Sequence, residues 1–149
     1  MKPVITWVLV VDGAQAKVFE NRGPGKGLHA VADLQFAQQP LRAAELVTDR
    51  PGRSFSSVGS GRSAIEPSSD PVVARERQFV IDVTTTIAEH QQRGAFDRLV
   101  LVAPPTALGD LRAALPAQLR QCVTAEMPRD LTGLTTPALE THLASVMAV

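Results

Sequence analysis

The chain opens on a nearly unbroken apolar run, Ile5 to Val11, which predicts a central strand buried on both faces. Asp12-Gly13 then offers the positive-φ residues of a tight hairpin, so Ala16 to Glu20 is predicted to return as a second strand. After the Gly/Pro loop Asn21 to Gly27 the pattern alternates. Leu28, Ala30, Ala32, Leu34 and Phe36 are set against His29, Asp33 and Gln35, with Val31 the one apolar exception. That period of two predicts a third strand with one face in water, completing an antiparallel meander. Leu41 to Val47 is long enough for two turns of helix. From Asp49 to Ser69 periodicity disappears, and about twenty residues without it inside a domain usually serve a function or lack fixed structure.

Asp70-Pro71 is a helix start: the carboxylate caps free N–H groups and Pro suits the first helical position. Val72, Glu76, Phe79, Val80, Val83 and Ile87 follow spacings of three and four, which predicts an amphipathic helix from Asp70 to Arg93 that stops at Gly94. Leu99 to Ala103 is a short apolar strand closed by Pro104-Pro105. Leu108, Leu111, Leu115 and Leu119 share a helical face interrupted by Pro116, and Cys122 to Met127 reads as a fifth strand. Thr136-Pro137 repeats the cap-plus-proline signal, with Leu139, Leu143 and Val146 as the last buried stripe. The predicted order is βββ-α-β-α-β-α in one α/β domain over residues 1–149. Right-handed crossovers set the two late strands parallel to a neighbour, which gives a mixed five-stranded sheet flanked by helices, the ribonuclease H-like arrangement.

Composition narrows the function classes. Lys plus Arg and Asp plus Glu are 15 each in 149 residues, so bulk charge does not hold nucleic acid, although a local basic loop can. Hydrophobic residues at 44% supply a core. The lone Cys122 excludes an internal disulfide framework and a Cys-rich zinc site. Lys2, the first apolar run and Ala14-Gln15-Ala16 mimic a signal peptide, but the run is short and closes on a hairpin signal. With no membrane-spanning window either, the expectation is a cytoplasmic protein.

Several signatures run in order along the chain: Trp7 to Ala14, Asp49 to Phe55, Glu66-Pro67 with Asp70-Pro71, Phe96 to Pro105, Leu108-Gly109 and Asp130-Leu131-Thr132. Together they resemble the bacterial host-attachment protein family, named for a role in attachment to host cells. That family is in turn similar to the middle domain of archaeal and eukaryotic peptide-chain release factors, where a loop before a long helix carries Gly-Gly-Gln. Here the loop before the long helix holds Gly59-Ser60-Gly61-Arg62 and no Gly-Gly-Gln, so peptidyl-tRNA hydrolysis is not implied. What the resemblance implies is contact with the ribosome or tRNA, or with a host-surface or regulatory protein partner.

The Asp49–Ser63 stretch is the strongest candidate site, because Arg50, Arg53 and Arg62 against Asp49 make a local +2 in a neutral chain. Arginine forks onto phosphate oxygens, while Ser54, Gly59 and Gly61 let backbone N–H groups approach an anion. Phe55 is suited to stacking on a base or to anchoring in the core. The alternative is a solvated loop turning at Pro51-Gly52. Asp12 invites comparison with a nuclease carboxylate, but no second acid ends the fourth strand and the hairpin turn explains it. His29, His90 and His142 form no ligand spacing, and Cys122 reads as a small buried hydrophobe. No Walker loop, dinucleotide fingerprint or nucleophile elbow is present. The sequence thus leans against an enzyme and implies no cofactor and no metal; the oligomeric state stays open.

Overall fold

The computed structural model describes residues 2–38 and 70–149. The candidate residues Arg50, Arg53, Ser54, Phe55, Gly59, Gly61 and Arg62, and the helix expected over Leu41–Val47, lie outside the described residues. Five strands form one open sheet in the order β3-β2-β1-β4-β5: β1 Thr6–Val11, β2 Gln15–Asn21, β3 His29–Ala37, β4 Arg98–Val102 and β5 Val123–Met127. β1 pairs antiparallel with β2 and parallel with β4; β4 pairs parallel with β5, and β2 antiparallel with β3. Four helices accompany it among the described residues: α1 Pro71–Gln92, α2 Pro105–Ala114, α3 Ala117–Arg120 and α4 Thr136–Leu143.

β1 is buried over its whole length, and its alternation divides the core in two. Trp7, Leu9 and Val11 face α1 and α2, meeting Val80, Val83, Ile87, Leu108 and Leu111. Val8 and Val10 face the other way, toward Leu131 and the α4 residues Leu139 and Leu143. Trp7 is the largest side chain in the first layer. It stacks on Phe96 at 4.6 Å between ring centroids, lies 5.5 Å from the His90 ring, and donates from Nε1 to Glu20 Oε2 at 3.0 Å. The indole thereby buries its body and satisfies its N–H across the β1–β2 pair.

The third strand departs from strict alternation. Between Lys17 and Phe19 of β2, which are two positions apart, β3 advances from Gln35 to Ala30, so β3 carries extra residues in an irregular bulge. The bulge shifts the phase of the pleat. Leu34, Phe36 and Val31 pack on the α1 side, Leu28 on the α4 side, and Ala30 and Ala32 are exposed rather than inward-facing. The apolar exception Val31 is explained by the same shift.

Helix boundaries follow local chemistry. Asp70 caps α1, its Oδ1 accepting from Val72 N at 2.9 Å, and Gly94 with φ +78° follows the helix end. Burial on α1 begins only at Val80, so Val72 is 49% exposed instead of belonging to the core stripe. Pro116 breaks the leucine helix into α2 and α3, because the residue before proline is forced out of helical geometry: Leu115 has ψ 122°. All four leucines are still buried. Arg120 donates to the freed carbonyls of Arg112 and Leu115, both at 3.1 Å. At α4 the cap is Thr135, not Thr136; its hydroxyl accepts from Ala138 N at 3.3 Å, and Pro137 fits the first turn in either register. α4 ends at Leu143, which leaves Val146 at 37% exposure instead of in the stripe.

Truncating Leu9, which lies between Val18 and Leu101 across the sheet, is expected to cost about 2–5 kcal/mol, whereas Val72→Ala should cost less than about 0.5. Urea unfolding midpoints at unchanged slope check both.

Candidate functional site

The turn after β1 lies at the carboxyl end of the parallel pair β1–β4, the edge where open α/β sheets usually place their sites. Asp12 organises it. Its Oδ1 accepts from the backbone N–H groups of Ala14 (2.9 Å) and Gln15 (2.8 Å), and Asp12 N donates to Gln15 O at 3.1 Å. Of the two predicted turn residues only Gly13 takes a positive φ, +94°. A Cβ at Gly13 would also meet the Glu76 side chain at 3.4 Å, so helix α1 approaches the turn closely there.

The other half of the site comes from far along the chain. The loop after β5 crosses to the same place, where the Thr132 hydroxyl lies 2.8 Å from Asp12 Oδ2 and 2.8 Å from Asp130 Oδ1. One hydroxyl proton serves two carboxylates, so it donates to one at a time. Lys17 Nζ donates to Thr132 O at 2.9 Å and brings a positive charge beside the two acids. The first and last sequence signatures, Asp12-Gly13 and Asp130-Leu131-Thr132, thus form one clasp around a buried Thr132, which is only 4% exposed, with Asp12 half-buried and Asp130 exposed.

The Asp12 turn also holds the residue that precedes, in sequence, the interval with the arginines. Gln38, the last described residue before it, donates from Nε2 to Gly13 O at 2.8 Å and from its backbone N–H to Ala14 O at 2.7 Å. Asp70, the first described residue after it, caps α1.

The Asp12 carboxylate is fully engaged as a turn and clasp acceptor, so its geometry is that of a structural acid. Among the described residues no three His, Cys, Asp or Glu side chains form a group able to hold a metal ion. His90 is half-buried against Trp7 with Nδ1 2.9 Å from Thr86 O, and His29 is exposed with Nε2 3.0 Å from Lys26 O. Cys122 is half-buried, not fully enclosed. Partial burial, with a smaller contribution from the Asp97 charge, pushes its thiol above the ordinary range, opposite to what a nucleophile needs. Sequence reading passed over Lys17 and Gln38, which carry no local motif; Thr132 was visible only as the end of a signature.

An open mixed sheet whose central strand ends in an acid-centred clasp defines the class of this α/β protein. The family described as "Protein required for attachment to host cells" matches residues 7–143, and the chain belongs to that family. No curated protein matches the sequence. Among solved structures, one described as an archaeal protein is similar at 11% identity with TM-score 0.50, over 97% of this chain and 34% of its own. An archaeal translation termination factor, aRF1, is similar at 9% identity with TM-score 0.42, over 82% of this chain and 29% of that one. The chain therefore spans about a third or less of either neighbour's length. At such identities the first likeness is one of fold, and the second is weaker still. No helix among the described residues is long and apolar enough to cross a membrane.

Thr132→Val, which removes the shared hydroxyl, is expected to destabilise the fold by about 1–3 kcal/mol, and Thr132→Ser to restore most of it, by chemical denaturation. Alkylation of Cys122 by iodoacetamide at pH 7 should be slower than that of free cysteine, because the upward shift leaves a smaller fraction as the reactive thiolate. It should accelerate in Asp97→Asn, which removes one of the two causes of the rise.

Proposed function

We propose that this chain is a binding protein rather than a catalyst, and that it contacts ribosomal RNA or tRNA through Arg50, Arg53 and Arg62, with Ser54, Phe55, Gly59 and Gly61 shaping the contact. The observation that carries the reading is the anchoring of the residues that bracket this interval. Gln38 is bonded to the Asp12 turn and Asp70 to the start of α1, at a sheet end stiffened by the clasp. A local +2 charge held on a rigid scaffold suits phosphate, and a guanidinium forks onto two phosphate oxygens. The sheet order, with β2 alone reversed, supports reading the fold as ribonuclease H-like. On this reading the chain works in the cytoplasm.

The family description favours a second reading, in which the chain supports attachment to host cells, directly or by regulating surface components. Direct action requires exposure on the cell surface; regulation does not.

Co-sedimentation with ribosomes from lysate tests the first reading. Three phosphate contacts predict a loss of affinity of about 20- to 40-fold between 50 and 200 mM salt, and the loss of pelleting when all three arginines become Ala. A chain that stays in the supernatant at low salt excludes it. An adhesion defect on deletion, scored beside surface labelling, then separates the two forms of the second.

A further inference from the structure

The opposite end of the sheet carries a groove of about 470 Å³, within the range of small-molecule sites. It opens where β1, β4 and β5 begin and β2 ends. Strand register builds its floor: Thr6 is the cross-strand partner of Asn21 on β2 and of Arg98 on β4. Side chains of directly paired residues share a face with Cβ atoms about 4.5–5.5 Å apart, so a hydroxyl, an amide and a guanidinium stand in one row.

Three observations give this row a ligand chemistry. Thr6 is 7% exposed, yet among the described residues its hydroxyl makes no hydrogen bond. Because no fully enclosed polar side-chain atom there lacks a partner, the free hydroxyl faces the groove rather than the core. Among the groove's side chains the charge is one-sided: Arg22, Lys26 and Arg98 line it and no Asp or Glu does, while Val149 O accepts from Gly25 N at 3.1 Å on the loop between Arg22 and Lys26. Arg22 is paired with Glu20 at 2.9 Å, but among the described residues Lys26 and Arg98 have no side-chain partner. Glu140, which approaches Gly27 nearby, is turned to the Leu28 N–H at 2.8 Å. Finally, two of the four exposed large apolar side chains among the described residues, Val4 at 43% and Val146 at 37%, lie on this groove beside Met147.

Asn21 explains how the cations come to the rim. Its Nδ2 donates to Gly27 O and its Oδ1 accepts from Gly23 N, both at 3.0 Å, which ties down the loop that carries Arg22 and Lys26.

We infer that this groove binds a small organic oxyanion: a carboxylate or phosphate head taken by Thr6, Lys26 and Arg98, and an apolar body laid over Val4, Val146 and Met147. Fixed donors and cations beside an apolar wall recognise that combination, and a neutral amphiphile satisfies only half of it.

Titration of the full chain with octanoate, octyl phosphate, octanol and inorganic phosphate, followed by amide chemical shifts, tests the inference. Octanoate or octyl phosphate should perturb Thr6, Asn21, Arg98 and Thr124, with octanol and inorganic phosphate at least tenfold weaker. The stronger of the two octyl anions identifies the head group. The double variant Lys26→Gln/Arg98→Gln, at two exposed positions, should lose tenfold or more in affinity with an unchanged circular dichroism spectrum. Thr6→Val should weaken the anions and leave octanol unaffected. Octanol binding as tightly as the anions, shifts confined to other surfaces, or a double variant that binds undiminished would each overturn it.

Discussion

A strand with apolar side chains on both faces must be covered twice, and β1 imposes that requirement on everything around it. Its two faces need separate layers, which α1 with α2 and α4 provide. Its two edges need partners, which β2 and β4 provide. Such a strand has a weakness: slipping it by one residue exchanges one apolar face for another, so hydrophobicity alone poorly defines register. Trp7 supplies the discrimination. Its indole fits between Phe96 and His90 only on the α1 side, and its N–H reaches Glu20 only when the two residues are directly paired. The Asp12 turn closes the hairpin in the same register.

The two ends of the sheet then differ in kind. At the carboxyl end polar groups are paired off: Asp12, Asp130, Thr132, Lys17 and Gln38 satisfy one another and the turn backbone. Such a network stiffens a scaffold and leaves little capacity for a ligand of its own. At the amino end polar groups are left over, with the Thr6 hydroxyl and the Lys26 and Arg98 charges facing a groove. Unspent donors beside apolar surface give the amino end a binding capacity of its own, suited to a small ligand.

Much of the architecture was legible along the chain because it is written in local periodicity. The continuous apolar run of β1, the three-four spacing of Val80, Val83 and Ile87, and the Asp70-Pro71 start each express one element's own needs. The parallel setting of β4 and β5 followed from the intervening helices. The errors fall where a neighbour decides. The β3 bulge exposed Ala30 and Ala32, the extent of the sheet left Val72 outside the core, and the choice between Thr135 and Thr136 rested on hydrogen-bond geometry.

The polar sites show the same division more sharply. Asp12-Gly13 announces a turn by itself, because an Asx turn and a positive φ are properties of adjacent residues. That its second carboxylate oxygen meets Thr132, 120 residues away, is a property of the crossover after β5 and has no local signature. The row of Thr6, Asn21 and Arg98 is hidden for the same reason, since three unremarkable residues become neighbours only through two strand registers. Periodicity and turn chemistry act over a few residues and are carried by the order of the chain. Register and loop crossings act between segments, so the partners of each polar group were decided only when the sheet closed around β1.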